Sequence, residues 1–365
     1  MKKKILFILH LPPPVHGSSM VGQYIKDSSI INEGIHSEFI NLGTSKSLDE
    51  IGKNPFQKIG VYLKIVFETL KQLIVFRPNL VYIALTAKGK AFYKDSFIVL
   101  LAKLFRKKIV YHLHNRSMMG RQEKWFDVVL CKMLFKNTDV ILLSKYLYPE
   151  IQKYVPENRV HYCPNGIPDA FTKIPNLQIP NRNEVVQILF LSNLMKAKGV
   201  FVLLEACRIL HERQLRFHCT FIGGESDITS EIFQEKVSEL GLTESVHYAG
   251  RKYGDEKELA FSEADIFAFP TLNETFGLVN LEAMQFSLPV VSTIEGGIPD
   301  VVKEGKTGFL VEKGNAEAFA EKLEILINNV ELRQQMGEAG RLRFEKRFTL
   351  KTFENCFSSI IFKIK

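Results

Sequence analysis

Cysteine is scarce in this chain: five in 365 residues, an odd and scattered set at Cys131, Cys163, Cys207, Cys219 and Cys356. None has metal-ligand spacing, so a Cys-based zinc or iron–sulfur site is excluded, and an odd set gives no basis for a disulfide framework. Small buried apolar residues in a reduced compartment are the simplest account. Long uninterrupted apolar runs are also missing. Residues 59–76 are apolar, but Lys64, Glu68 and Lys71 interrupt them, which argues against a membrane span. The start, Met1-Lys2-Lys3-Lys4 followed by Ile5 to Leu9, imitates a secretory leader, yet it is cut short by His10 and Pro12-Pro13-Pro14 and has no small-residue cleavage site. A first buried parallel strand is expected there instead. There is no internal repeat, no low-complexity tract, and neither a stacking platform nor a helix-turn-helix pattern, so nucleic acid is not an expected partner.

What is present fits a soluble globular chain, with 46% hydrophobic and 24% charged residues. The length exceeds one ordinary core and suggests two domains. The net charge of +8 is unevenly spread: residues 1–172 hold 25 Lys and Arg against 13 Asp and Glu, whereas residues 173–365 hold 23 against 27. Such asymmetry suggests that the N-terminal half faces a polyanion or an anionic membrane. Basic and apolar positions interleave around Lys58–Lys71 and Lys103–Lys108, as on helices lying on lipid headgroups; a solvated basic face accounts for them equally.

Short branched apolar runs at Ile5–Leu9, Leu80–Leu85, Ile109–His114 and Val140–Ser144 read as strands, with helices near 19–30, 57–76, 91–105 and 122–136. Residues 168–183 carry three prolines and little periodicity, as a linker would. A second alternation follows, with strands at Val186–Leu191, Phe217–Ile222, Val246–Ala249, Ile266–Pro270 and Leu288–Ser292. Helices are expected near 199–213, 229–240, 255–263, 277–286 and 315–328. The fold class is α/β, with parallel sheets covered on both faces.

The run from Thr271 to Met284 carries the densest chemistry. Glu274 and Glu282 stand eight positions apart, one on a loop and one about a turn and a half inside a helix. Both carboxylates can grip hydroxyls of one ligand whose phosphates rest on the helix N-terminus. From spacing alone, two solvated glutamates on a charged helix are the better reading. Two further strand ends stand out. Lys198-Gly199 opens a helix, and a lysine there can neutralise a phosphate. His112 and His114 lie two apart on one strand, so their side chains emerge on the same face.

The run resembles the E-x7-E signature of retaining glycosyltransferases of family four, which have the GT-B fold. Its neighbours extend the likeness: Ala264 to Pro270 before it, then Pro289-Val290-Val291, Gly296-Gly297-Ile298-Pro299-Asp300 and Gly305-Lys306-Thr307-Gly308 after it. The resemblance implies two doubly wound Rossmann-like domains facing each other across a cleft. These would be an acceptor-side domain over 1–170, a linker over 171–183, a donor domain over 184–344, and a last helix in 345–365 returning to the first domain. The nucleotide sugar would be held by Glu282 on the ribose, Glu274 on the transferred sugar, and Lys198 with backbone groups of Thr275, Phe276, Gly277 and Leu278 on the diphosphate. Family members usually carry an arginine where this chain has Asn193, so Asn193 itself or Lys196 would serve instead. Gly17 after the first strand and Arg251 near the base are further donor contacts, and His114 is the expected catalytic histidine, with His112 as a supporter. The absence of any Asp-x-Asp agrees with metal-independent transfer, and no cofactor is expected. The implied function is a retaining hexosyltransferase. It would move a hexose or N-acetylhexosamine to a glycan or lipid-linked acceptor in bacterial surface polysaccharide synthesis. The +12 charge of residues 1–172, and not the resemblance, suggests work in the cytoplasm or peripherally on the cytoplasmic membrane face, with an anionic membrane surface as a further partner. A non-catalytic nucleotide-sugar binder, a GT-B epimerase and a membrane-interaction platform are the alternatives.

Overall fold

The computed structural model describes residues 2–43, 55–170 and 185–364, and the linker expected at 171–183 lies outside them. Two compact units make up the chain: Met1–Asn165 together with Leu350–Lys365, and Gly166–Thr349. In the first unit, β1 (Lys3–Leu9), β2 (Ile35–Asn41), β3 (Leu80–Ile83), β4 (Lys108–Leu113), β5 (Asp139–Leu142) and β6 (Val160–Tyr162) form a parallel sheet in the order β2-β1-β3-β4-β5-β6. The apolar runs explain the centre of this sheet: Ile5 to Leu9 and Leu80 to Ile83 are buried throughout, as strands covered on both faces must be.

The crossovers are α1 (Gly17–Asp27) with α2 (Ser29–Asn32), then α3 (Pro55–Val75), α4 (Ala91–Leu104) and α5 (Trp125–Phe135). The steps β2→β3, β3→β4 and β4→β5 run in one direction across the sheet, and right-handed crossovers therefore put α3, α4 and α5 on one face. The reverse step β1→β2 puts α1 on the other. The chain order turns between β1 and β3, which marks the topological switch point of this unit.

The second unit contains β7 (Val186–Leu191), α6 (Val200–Glu212), β8 (Phe217–Ile222), α7 (Ser230–Glu239), β9 (Val246–Tyr248), α8 (Gly254–Glu263), β10 (Ile266–Phe269), α9 (Leu278–Gln285), β11 (Val290–Thr293), α10 (Ile298–Val301), β12 (Gly308–Val311), α11 (Ala316–Ile327) and α12 (Val330–Arg347). Its sheet is also parallel, in the order β12-β11-β10-β7-β8-β9, with the switch point between β7 and β10. The edge strands β2, β6 and β12 and the helix α12 are additions to the elements expected from the sequence.

The last helix, α13 (Leu350–Lys363), belongs to the first unit, where Phe353, Phe357, Ile360 and Ile361 join the core around Phe7 and Tyr82. Phe357 packs edge-on to Tyr82 with ring centroids 5.4 Å apart, and Lys3 donates to the Ile361 carbonyl at 2.8 Å. Within the second unit the two chain crossings lie side by side: the Ile167 N–H donates to the Phe348 carbonyl at 3.0 Å. Arg341 grips Asp169 with two bonds of 2.8 and 2.6 Å, and the buried Gln285 amide binds the Pro168 carbonyl and the Ala170 N–H.

Candidate functional site

At the switch point of the second unit the loop after β7 meets the loop after β10. Gly199 is the residue that lets them touch. Its φ is +79°, and a Cβ there would sit 1.9 Å from the Pro270 carbonyl oxygen. The Ala197 carbonyl accepts N–H bonds from Leu272 (2.9 Å) and Asn273 (3.1 Å), and the Thr271 hydroxyl at 3.2 Å. These bonds set Lys198, the end of a single 3₁₀ turn, against Glu274: Nζ to Oε2 is 2.8 Å, with side chains only 23% and 17% exposed. Glu274 is fixed in turn from its backbone side. Its Oε1 accepts from the Thr275 N–H at 2.8 Å and the Phe276 N–H at 3.4 Å. Gly296, at φ +55°, leaves room for the Glu274 carbonyl, 2.2 Å from where a Cβ would stand.

The helices that follow, α6 and α9, both begin at a left-handed glycine, Gly199 and Gly277, and neither N-terminus has a side-chain cap. Their first N–H groups have no intrahelical acceptor, and they carry the positive end of the helix dipole. The expectation that Thr275 and Phe276 offer N–H groups to a diphosphate meets a competitor, because both donate to Glu274 itself. Phe276 is otherwise a core residue, its ring buried 6.2 Å from that of Phe348. The N–H groups of Gly277 and Leu278, at the start of α9, remain as donors. Glu282 lies in the second turn of α9, paired with Lys257 on α8 at 3.0 Å.

Asn280, missed from the sequence, sits in the first turn of α9, fully buried, and its amide oxygen and nitrogen both lack a partner. Gly277 makes space for it: a Cβ at Gly277 would stand 2.6 Å from Asn280 Nδ2. An orphaned buried amide costs on the order of 1–3 kcal/mol. Its signal in the sequence is a polar side chain set among Leu278, Leu281, Ala283 and Met284.

Asn193 is exposed, and its Oδ1 accepts the Gly224 N–H at 3.1 Å, which leaves the amide nitrogen as the free donor. Arg251, after β9, reaches back over the same glycine: a Cβ on Gly224 would lie 2.0 Å from Arg251 Nε and 2.6 Å from Cζ. The guanidinium of Arg251 thus lies against Gly224, the residue whose N–H Asn193 accepts. Lys196 is exposed, and its N–H donates to Asp227 at 3.0 Å.

In the first unit, His10 after β1 bonds Thr86 after β3 across the switch point, Nε2 to Oγ1, at 3.3 Å. His16 caps α1: its Nδ1 accepts from the Ser19 N–H, and the Ser19 hydroxyl receives the His16 N–H. Gly17 is the exposed first residue of that helix. The glycine at a close approach is Gly22, where a Cβ would fall 2.0 Å from the His10 carbonyl oxygen. His114 lies over His112 with ring centroids 4.0 Å apart, and its Nδ1 is buried without a partner. His112 is fully buried, bonded through Nδ1 to the Tyr82 hydroxyl at 2.8 Å, and packed against Phe357. That places it in the core and out of reach of a ligand, so its expected supporting role reduces to positioning the His114 ring. Burial pushes His114 down to about 3 and His10 down to about 4, with neighbouring histidines adding to each, so both rings are neutral at physiological pH.

Among the described residues no group of three or more His, Cys, Asp or Glu side chains is arranged to hold a metal ion. All five cysteines are free thiols.

Comparison with known proteins bears on the same residues. The sequence profile of the family described as "Glycosyl transferases group 1" matches residues 175–343, the unit that holds Lys198, Glu274 and Glu282. The capsular polysaccharide biosynthesis glycosyltransferase CapM of Staphylococcus aureus is 29% identical over 239 residues, which are 62% of this chain and 62% of CapM. The D-inositol 3-phosphate glycosyltransferase of Corynebacterium aurimucosum is 34% identical over 225 residues, 57% of this chain and 53% of the relative. The match therefore spans roughly half to three-fifths of the length of these curated relatives. The fold is that of Anabaena HepE, solved in complex with UDP and glucose, with a TM-score of 0.70 at 18% identity over 99% of this chain and 100% of that one. Residues 175–343 thus match the group 1 glycosyltransferase family, and the two Rossmann-like units have the GT-B fold.

Proposed function

We propose that this protein transfers a sugar from a nucleotide-diphosphate donor to a glycan or lipid-linked acceptor with retention of anomeric configuration and without a metal ion. One observation carries the reading. The Lys198–Glu274 pair is held at the switch point of the second unit, beside two helices that begin at uncapped glycines. The lysine ammonium has three N–H bonds, one taken by Glu274, and two remain for diphosphate oxygens. With the N–H groups of Gly277 and Leu278 they supply the positive charge that a metal would otherwise bring to the leaving group. Glu274 accepts from hydroxyls of the transferred sugar, and Glu282 from the ribose.

The chemistry is a same-face exchange. The bond from the anomeric carbon to the diphosphate oxygen breaks, the bond to the acceptor oxygen forms on that same face, and the acceptor proton passes to the departing phosphate. The anomeric carbon has oxocarbenium character in between, and the electrostatics of the site favour the charge that accumulates on the diphosphate. Arg251 lies where it can take the role of the arginine that relatives carry at position 193, with Asn193 holding Gly224 beneath it. His114 and His10, neutral at the first unit's switch point, serve the acceptor side as hydrogen-bonding groups.

A panel of nucleotide-diphosphate sugars, followed by release of nucleoside diphosphate, tests the reading. Release that needs an added oligosaccharide or lipid-linked acceptor, gives a product of retained anomeric configuration by NMR, and disappears in Glu274→Ala is the expected result. Donor turned over without any acceptor would identify an epimerase. Tight donor binding with no turnover across the panel would identify a non-catalytic binder.

A further inference from the structure

We infer that the outward face of α3, α4 and α5 is a docking surface for an anionic lipid bilayer. Right-handed crossovers bring these three helices onto one face of the first sheet. Their inner positions, among them Ile65, Leu73, Phe92, Ile98, Val99, Cys131 and Leu134, are buried, as covering helices require. Their outer positions are apolar as well. Leu63, Phe67 and Ile74 lie outward on α3, Tyr93, Phe97 and Leu104 on α4, and Trp125, Val129 and Met133 on α5, each set at helical spacing. Among the described residues, fourteen of the 24 exposed large hydrophobic side chains fall between positions 59 and 133. The sole tryptophan of the chain is 78% exposed, Leu104 75% and Phe67 65%. Trp125, Phe126 and Tyr93 form a continuous aromatic ridge, with ring centroids 6.1 and 6.5 Å apart. Scattered exposed apolar residues are ordinary; a continuous face of them marks an interaction site.

Charge complementarity selects the occupant. Residues 59–138 contain 15 Lys and Arg against 4 Asp and Glu. Of the four acids, Asp95 and Asp127 are buried, the latter paired with Arg121 at 3.2 Å, so the outward charge is almost wholly positive. An open groove of about 660 Å³ at the ends of α4 and α5 is lined by Lys103, Arg106, Lys107 and Lys136 around Leu104 and Met133, basic groups around an apolar floor. Apolar side chains rimmed by lysine and arginine, with aromatic rings between, match the boundary between acyl chains and anionic headgroups. A second copy of the same face would bring like charges together. Among the described residues no helix is long and apolar enough to cross a membrane, so the surface lies on the bilayer and does not span it.

Trp125 supplies the probe, because no other tryptophan contributes to the emission. The full chain is mixed with vesicles of phosphatidylcholine alone, or with about a third phosphatidylglycerol, in low and high salt. Anionic vesicles should shift the Trp125 emission to the blue and expose it to quenching by lipids brominated near the headgroup, whereas salt or neutral vesicles should abolish both. Lys124→Gln combined with Lys132→Gln should weaken partitioning roughly 25-fold, at about fivefold per basic residue near the surface. Both lysines are exposed, so the thermal melt of the variant should match that of the parent. An unshifted spectrum, a shift indifferent to lipid charge and to the lysine variants, or a lipid-free dimer that buries Trp125 would each overturn the inference. The measurement uses neither donor nor acceptor and is independent of the transferase reading.

Discussion

Replacing Lys198 by alanine separates chemistry from stability at the proposed site. The pair it breaks is 2.8 Å long and about four-fifths buried, while Glu274 keeps the Thr275 and Phe276 N–H donors. Exposed pairs contribute about 0–1 kcal/mol, and removing one partner of a fully buried pair costs about 3–5 kcal/mol. With two donors still on the carboxylate, the loss here should be about 1–2 kcal/mol, a fall in Tm of about 2–8 °C for a unit of this size. Removal of one preorganised donor from a developing anion costs a further 10²–10³ in kcat, or about 2.7–4 kcal/mol of transition-state stabilisation. The assay is steady-state release of nucleoside diphosphate well below the melting range. Because the lysine and the glutamate hold one donor together, Lys198→Ala combined with Glu274→Ala should lose less than the product of the single losses. A kcat within threefold of the parent, or a loss that follows unfolding alone, would refute the assignment.

Other outcomes follow from the same geometry. Gly224→Ala places a Cβ 2.0 Å from Arg251 Nε, so it should displace the guanidinium and raise the donor KM as much as Arg251→Ala does, by about tenfold. Glu282→Ala should raise the donor KM more than it lowers kcat, since the ribose lies away from the reacting bond; a larger effect on kcat would contradict a ribose anchor. Stability should fall as pH drops from about 6.5 towards 4, because native His10 and His114 stay neutral to about 4 and 3 while the unfolded chain takes up protons. His10 alone should account for about 2 kcal/mol at pH 5, read from urea melts at two pH values. Asp95, raised by burial to about 6, works in the opposite sense over the same range, so Asp95→Asn should steepen the loss.

The sequence shows plainly the elements whose residues are apolar at every position or at helical spacing. Ile5–Leu9, Val186–Leu191 and Phe217–Ile222 fold as the strands their composition suggests. β2 is less visible because it is an edge strand with His36, Ser37 and Glu38 at its centre. α12 escapes because its buried stripe is Arg333, Met336, Gly337, Gly340 and Phe344, of which only two are large and apolar. Gly337 is there because a Cβ would meet the Ser287 carbonyl at 1.9 Å, and Arg333 binds the last carbonyls of α11, at Leu326 and Ile327. Such contacts are made between elements, and no local pattern encodes them. The site divides in the same way. Glu274, Glu282 and Lys198 stand at motif spacings, but their fixed partners do not: the Lys257 ammonium on Glu282 joins two helices, and the Arg251 guanidinium over Gly224 and the His10–Thr86 bond join loops, each between segments well separated in the chain.

The proposed transfer requires that the second unit hold a nucleotide-diphosphate sugar through Lys198 and Glu274. A thermal-shift screen of nucleotide-diphosphate sugars, each run on the parent, Lys198→Ala and Glu274→Ala, measures this binding. A donor present at about a hundred times its Kd should stabilise the parent by about 2.7 kcal/mol and raise its Tm by about 5–10 °C. At least one nucleotide sugar should give such a shift, and both variants should lose it. A panel that leaves the parent unmoved, or moves parent and variants alike, would contradict this mode of binding.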